Sequence, residues 1–243
     1  MEPITIILPI YKGREITEKC LESIRKNTKY SYKILVIADE ENNTGNCDDC
    51  GGAFRDYDYL FDYEIDFLIR KKREGLISAY NLGMRISKGD VLLTQNDVEF
   101  PDLINDLNSK DCWLTQLVNK SKTMPNVGVV GCLNSVRINQ PIDFVGTWCM
   151  FIPRKTIDIV GYFDEIFGWA MMDDVDYGKR IKMHRLEILR EDSFEVKHLN
   201  SGTIKHLETE KMKKEALEIY KEKWKNYRDD MTDEEKKKYD FWR

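Results

Sequence analysis

Two short segments of the chain gather side chains capable of chemistry. In Gln95-Asn96-Asp97-Val98-Glu99, the apolar run at residues 91–94 passes straight into amides and carboxylates. Mg2+ or Mn2+ takes one or two hard carboxylate oxygens and fills its remaining positions with phosphate or water, so Asp97 suits a metal-bound diphosphate. Side chains alternate along an extended segment. If strand geometry continues, Gln95, Asp97 and Glu99 share one face and Asn96 and Val98 the other. The competing reading is an Asn-Asp turn before Pro101, with Asp97 capping a helix.

The second segment places Asp173, Asp174 and Asp176 at the start of a helical pattern. A helix N-terminus favours acids in any case. Here, however, the apolar stretch at residues 167–172 leads into them, and partial desolvation raises a carboxylate's proton affinity toward that of a useful general base. Asp176 lies roughly 200° further around the helix, turned toward Arg180 at i+4.

The elements that position these acids can be read from periodicity. Residues 4–9 form a β-branched run ended by proline, and Ile16, Cys20, Leu21 and Ile24 then recur at helical spacing. Residues 33–38 and 65–69 read as strands, 75–87 as a helix, and 91–94 as a further strand after the turn Lys88-Gly89-Asp90. Strand and helix in alternation predict βαβ units, a mostly parallel sheet with helices on its faces, and ligands at the carboxyl ends of the strands. Residues 127–130 and 148–152 read as strands and 173–183 as a helix. Beyond Leu207, interleaved Lys and Glu with Met212, Ala216, Ile219, Tyr220 and Trp224 predict an amphipathic helical tail, and the capping box at Thr232 predicts a second short helix.

Composition narrows the class. A net charge of -5 over 243 residues lacks the basic footprint of a nucleic-acid binder. No apolar run approaches the roughly 20 residues that cross a bilayer, and no basic segment precedes the first apolar stretch, so the expected location is the cytoplasm, with peripheral membrane attachment left open. The six cysteines read as reduced thiols. Cys47 and Cys50 supply half of a structural zinc site, with no second pair to complete it.

In order and spacing, the segments resemble the family-2 inverting glycosyltransferases of glycosyltransferase A-type fold. The opening strand ending in Pro9-Ile10-Tyr11, the helix around residues 20–24, the central helix from Gly75 to Gly83 and the turn at residues 87–90 match that family in sequence order. Gln95-Asn96-Asp97-Val98-Glu99 resembles its D-x-D metal motif in the N-N-D-x-E form found in relatives of rhamnosyltransferases. The blocks at 150–154, 161–165 and 173–176 resemble the lead into its E-D-x-D base motif. The match covers roughly residues 3–206 and implies a single Rossmann-like catalytic domain over 1–206. Its nucleotide-binding half would be about 1–100, its acceptor half about 101–206, and 207–243 a helical tail with a role in oligomerisation left open.

Residue by residue, the resemblance implies Asp174 as base beside Asp173, which replaces a more usual glutamate. Asp97 and His198 would hold Mn2+ or Mg2+, with Gln95 standing where many members have the first aspartate. Pro9, Tyr11, Asp39, Arg73, Gly75, Asn81, Gln95 and Asn96 would meet the nucleotide sugar. Tyr80 stands where an arginine often meets the phosphates. Trp169 and Glu99 fall on the acceptor side, where the acceptor would be a glycan, a lipid-linked or a protein hydroxyl. The implied reaction is a metal-assisted single displacement that inverts the sugar. The alternatives are a sugar nucleotidyltransferase, for which Lys12-Gly13-Arg14 is a thin phosphate loop, and a catalytically silent nucleotide- or glycan-binding module.

Overall fold

The computed structural model of the protein describes residues 2–39, 57–103, 111–138, 143–168, 170–199 and 209–225. The first half is built of parallel crossovers. Strand β1 (Ile4–Ile10) leads into α1 (Arg14–Asn27), β2 (Tyr32–Asp39), β3 (Asp66–Arg70), α2 (Leu76–Ile86) and β4 (Val91–Thr94). A two-residue strand β5 (Val98–Glu99) follows. The second half holds α3 (Trp113–Ser121), β6 (Val127–Cys132), β7 (Val136–Arg137), β8 (Phe144–Val145), β9 (Cys149–Ile152), α4 (Arg154–Val160), α5 (Asp173–Met183), β10 (Glu187–Glu191), β11 (Lys197–His198) and α6 (Thr209–Trp224).

One seven-stranded sheet, ordered β10-β6-β9-β4-β1-β2-β3, carries the molecule. β1 pairs in parallel with both β2 and β4, and every residue of β1 is buried, as a strand covered on both faces requires. The two apolar faces of the sheet are covered separately. One core holds α1 and α3 through Leu21, Ile24, Trp113 and Leu117. The other holds α2, α5 and α6 through Ile77, Met84, Tyr177 and Tyr220. Gly83 permits a close approach of α2 to β1, since a Cβ there would stand 2.5 Å from Ile7 Cγ2.

β9 departs from the expected parallel order. It runs antiparallel between β4 and β6, with Thr94 opposite Cys149 and Gly131 opposite Met150. The chain therefore enters β9 at the end of the sheet where β4 leaves it. That reversal brings residues just before β9, Thr147 and Trp148, to the carboxyl ends of the parallel strands.

α6 lies against the domain. Ala216 and Tyr220 are buried, Tyr220 faces Phe167 at 6.5 Å between ring centroids, and Trp224 is half-buried. Among the described residues no helix is long and apolar enough to cross a membrane. The Cys47–Cys50 pair, His206 and the helix expected at Thr232 lie outside the described residues.

Candidate active site

A cavity of about 320 Å³ opens at the carboxyl ends of β1, β2 and β4. Its walls come from Pro9–Tyr11, Asp39, Arg73, Gly75, Leu76, Ala79, Gln95–Asp97, Thr147–Trp148, 170–174 and His198.

Asp97 sits at the end of β4, and the backbone there turns. Val98 N donates to Gln95 O at 3.3 Å, closing a turn over Asn96 and Asp97. The alternating face expected of Gln95, Asp97 and Glu99 therefore does not form. Gln95, Asn96 and Asp97 all line the cavity, whereas Glu99 pairs with β11 and meets Lys197 Nζ at 3.1 Å. Asn96 donates to Thr17 Oγ1 at 3.0 Å and so ties the first turn of α1 to this turn.

β11 exists to bring in a histidine. It pairs with β5 so that His198 lies opposite Val98, and His198 Nε2 stands 3.3 Å from Asp97 Oδ1. Trp148 stacks on the imidazole at 5.1 Å with an interplanar angle of 25°. The carboxylate is a ligand of the type that suits Mn2+ or Mg2+, and the converging imidazole adds a nitrogen donor typical of transition metals, which leans toward Mn2+. Among the described residues no group of three or more His, Cys, Asp or Glu side chains forms a complete metal cage. Two protein ligands fit an ion whose other positions are filled by a diphosphate.

Asp39, at the end of β2, is held from several sides. Arg70 Nε donates to Oδ1 at 2.5 Å, and Glu74 N and Gly75 N donate to Oδ2 at 3.0 and 2.9 Å. An acid at the end of a buried strand is thus explained in part by the chain itself: Asp39 joins β2, β3 and the start of α2. Gly75 supplies its N–H from φ 91°, a conformation that favours glycine. Beside it, Arg73 stacks on the Tyr11 ring at 3.9 Å, a cation–π pair lining the cavity.

The paired acids line the same cavity. Residues 161–172 approach α5 through Met171 and Met172 at φ 81° and 61°, both left-handed. Non-glycine residues there cost about 1–2 kcal/mol each, and such strain gathers where surroundings over-determine the backbone. Asp173 is buried, while Asp174 keeps some contact with the cavity. Burial pushes both acids above the usual carboxylate value, and for Asp174 the neighbouring charge of Asp173 adds to the effect. Val175 N donates to Asp174 Oδ1 at 2.8 Å and opposes it only in part.

Most of the residues singled out from the sequence meet in this one chamber. Pro9, Tyr11, Asp39, Arg73, Gly75, Gln95, Asn96, Asp97, Asp173, Asp174 and His198 all line it. Asn81 does not. It is buried under the approach to α5, where its amide donates to Phe163 O and Glu165 Oε1 and accepts from Phe163 N. Glu99 is also off the cavity, and Trp169 lies outside the described residues. Tyr80 is fully buried and donates to Thr94 O at 2.9 Å, bracing β4. Trp148 and Thr147 escaped the sequence reading because no local motif marks them; their place follows from the direction of β9.

The fold and the chamber can now be set beside known proteins. The model of Glycosyl transferase family 2 matches residues 5–167, and the chain belongs to that family. It is 28% identical over 91 residues to the glycosyltransferase AglE of Haloferax volcanii, a stretch covering 37% of this chain and 28% of AglE. Among solved structures it resembles the mannosyltransferase PcManGT of Pyrobaculum calidifontis in complex with GDP-Man and Mn2+, with a TM-score of 0.55 and 19% identity over 79% of this chain and 56% of that one. It also resembles GalNAc-T7 with UDP, GalNAc and Mn2+, with a TM-score of 0.59 and 14% identity over 78% of this chain and 42% of that one. The chain thus spans about half the length of these solved relatives, and the likeness gives the glycosyltransferase A-type fold.

Proposed function

We propose that the protein is an inverting glycosyltransferase that moves a hexosyl or deoxyhexosyl group from a nucleotide-diphosphate sugar to an acceptor hydroxyl of a glycan, a lipid-linked saccharide or a protein. The observation that carries this reading is the meeting of Asp97 and His198 with Asp173 and Asp174 across one cavity of about 320 Å³. A phosphate-side acid and a proton-accepting acid in one cavity suit a displacement at a carbon held between them. Two solved proteins of similar fold, one in complex with GDP-Man and Mn2+ and the other with UDP, GalNAc and Mn2+, support it.

In this reading Tyr11, Arg73 and Gly75 border the nucleotide, and Asn96 and Gln95 border the diphosphate. Asp97 and His198 would hold Mn2+ or Mg2+, which supplies charge stabilisation for the departing diphosphate. Asp174 takes the proton of the acceptor hydroxyl while that oxygen attacks the anomeric carbon. The C–O bond to the diphosphate breaks from the far side and the diphosphate leaves with the electron pair. One displacement inverts the sugar, and Asp173 raises the proton affinity of Asp174 without contacting the sugar. The expected setting is the cytoplasmic face of glycan assembly.

The experiment is a thermal-shift panel of nucleotide sugars with and without manganese, followed by turnover assays on the donors that bind. The expected result is a metal-dependent shift with one base and transfer or slow hydrolysis of that donor. Binding without any turnover would favour the silent module, and pyrophosphate release from a sugar phosphate and a nucleoside triphosphate would favour the nucleotidyltransferase.

A further inference from the structure

On the back of α5, away from the cavity, a second buried carboxylate is gripped by the tail helix. Asp176 is fully buried. Its Oδ2 accepts from Arg180 Nε at 2.9 Å, and its Oδ1 accepts from Lys223 Nζ at 2.6 Å and Trp224 Nε1 at 2.9 Å. Lys223 also donates to Asp164 Oδ2 at 2.8 Å, at the beginning of the strained approach that ends in Met171 and Met172. Tyr220 packs on Phe167 in the same approach, and Lys179 Nζ lies 4.2 Å over the Trp224 ring. The contacts of α6 therefore bracket Asp173 and Asp174, touching the chain both before and after them.

We propose that Lys223 and Trp224 are positioning residues for the reaction, fixing the first turn of α5 so that Asp174 meets the acceptor hydroxyl in line. The inference rests on the reading of Asp174 as base. Its physical ground is that strained left-handed residues persist only where surrounding contacts hold them, so the turn that delivers the acid depends on what packs behind it, and misplacement by about 1 Å can cost about 100-fold in rate. Neither residue touches the cavity, so their removal leaves donor contacts in place.

The charges around the acids give the proposal a signature that packing alone would not produce. Asp176 on α5 acts on Asp173; Arg180 on α5 and Lys223 on α6 pair with Asp176, Lys223 also pairs with Asp164 on the approach, and Lys179 lies over Trp224, while Asp97, His198 and Tyr80 stand on the cavity side. Asp176 raises the proton affinity of Asp173, and Lys223 offsets the charge of Asp176. Removing Lys223 strengthens the negative field at the pair and moves the acid limb of the rate profile to higher pH. Removing the charge of Asp176 moves it to lower pH.

The test uses the full chain with Trp224→Phe, Lys223→Met, Lys223→Arg and Asp176→Asn, measuring kcat and donor KM across pH beside thermal melts. Trp224→Phe and Lys223→Met are expected to lower kcat about 10- to 100-fold with donor KM changed less than about 2-fold. Lys223→Arg should recover most of the rate, and the acid limb should move in opposite directions for Lys223→Met and Asp176→Asn. If Asp176→Asn does not fold, the two α6 substitutions decide the matter alone. Full kcat in both, or a loss of rate that follows the folded fraction with an unmoved acid limb, overturns the proposal. An active Asp174→Asn chain sinks the underlying assignment instead; failure of the positioning role alone would leave Asp174→Asn inactive.

Discussion

Asp39 and Asp174 face the same cavity and are held in contrasting ways. Asp39 receives Arg70 and two backbone N–H groups, a set that holds a carboxylate in one place. Asp174 receives the N–H of Val175, stands beside another acid, and has no Lys or Arg among the groups that shift it. The satisfied acid holds strands together, and the poorly satisfied one is free to accept a proton. The contrast separates two acids by the number and kind of donors around them, and on that ground Asp174 rather than Asp39 is the one proposed as base.

The sharpest way to break this contrast is Asp174→Asn, which should lower transfer by at least about 1,000-fold in turnover assays while donor affinity changes less than about 2-fold. Asp97→Ala should weaken manganese-dependent donor binding about 10- to 100-fold in a calorimetric titration and leave metal-free nucleotide binding nearly unchanged. Arg70→Ala, by stripping a cation from buried Asp39, should cost about 3 kcal/mol, read as a drop in Tm of on the order of 10 °C.

The smallest effect concerns stability at the acid pair. Both acids are raised in the fold above the usual carboxylate value near 3.8, so the native state binds more protons than the unfolded chain. Their favourable contribution is present at low pH and is lost as pH rises through the raised values. Asp174→Asn should therefore raise Tm at pH 8 by a few degrees and change it little at pH 4, a difference on the order of 1 kcal/mol. Transfer should rise with pH over the same interval, as Asp174 loses its proton.

The parallel half was legible because its signals are local. The run of residues 4–9, the helical spacing from Gly75 and the turn before Val91 each specify an element within a few residues, and β1, α2 and β4 formed where expected. Asp97, Asp173 and Asp174 were legible for the same reason, as polar residues at the ends of apolar segments. The antiparallel course of β9 was not, because strand direction is set by which neighbour it meets and leaves no mark in periodicity. Thr147 and Trp148 went unnoticed with it. Asn81 shows the reverse error: an amide in a matching motif is consumed by Phe163 and Glu165 in the packing under α5. The strand alternation expected of residues 95–99 failed because an Asn-Asp turn intervened.

The reversal at β9 has a practical outcome for anyone redesigning this protein. Thr94 Oγ1 donates to Trp148 O at 3.0 Å and Gln95 Nε2 donates to Thr147 Oγ1 at 3.3 Å, so side-chain hydrogen bonds stitch the segment entering β9 to the strand that delivers Asp97. Mutagenesis libraries confined to the stretch upstream of Trp148 would reshape one wall of the chamber, while β1, β2 and their crossovers keep their sequence and their fold.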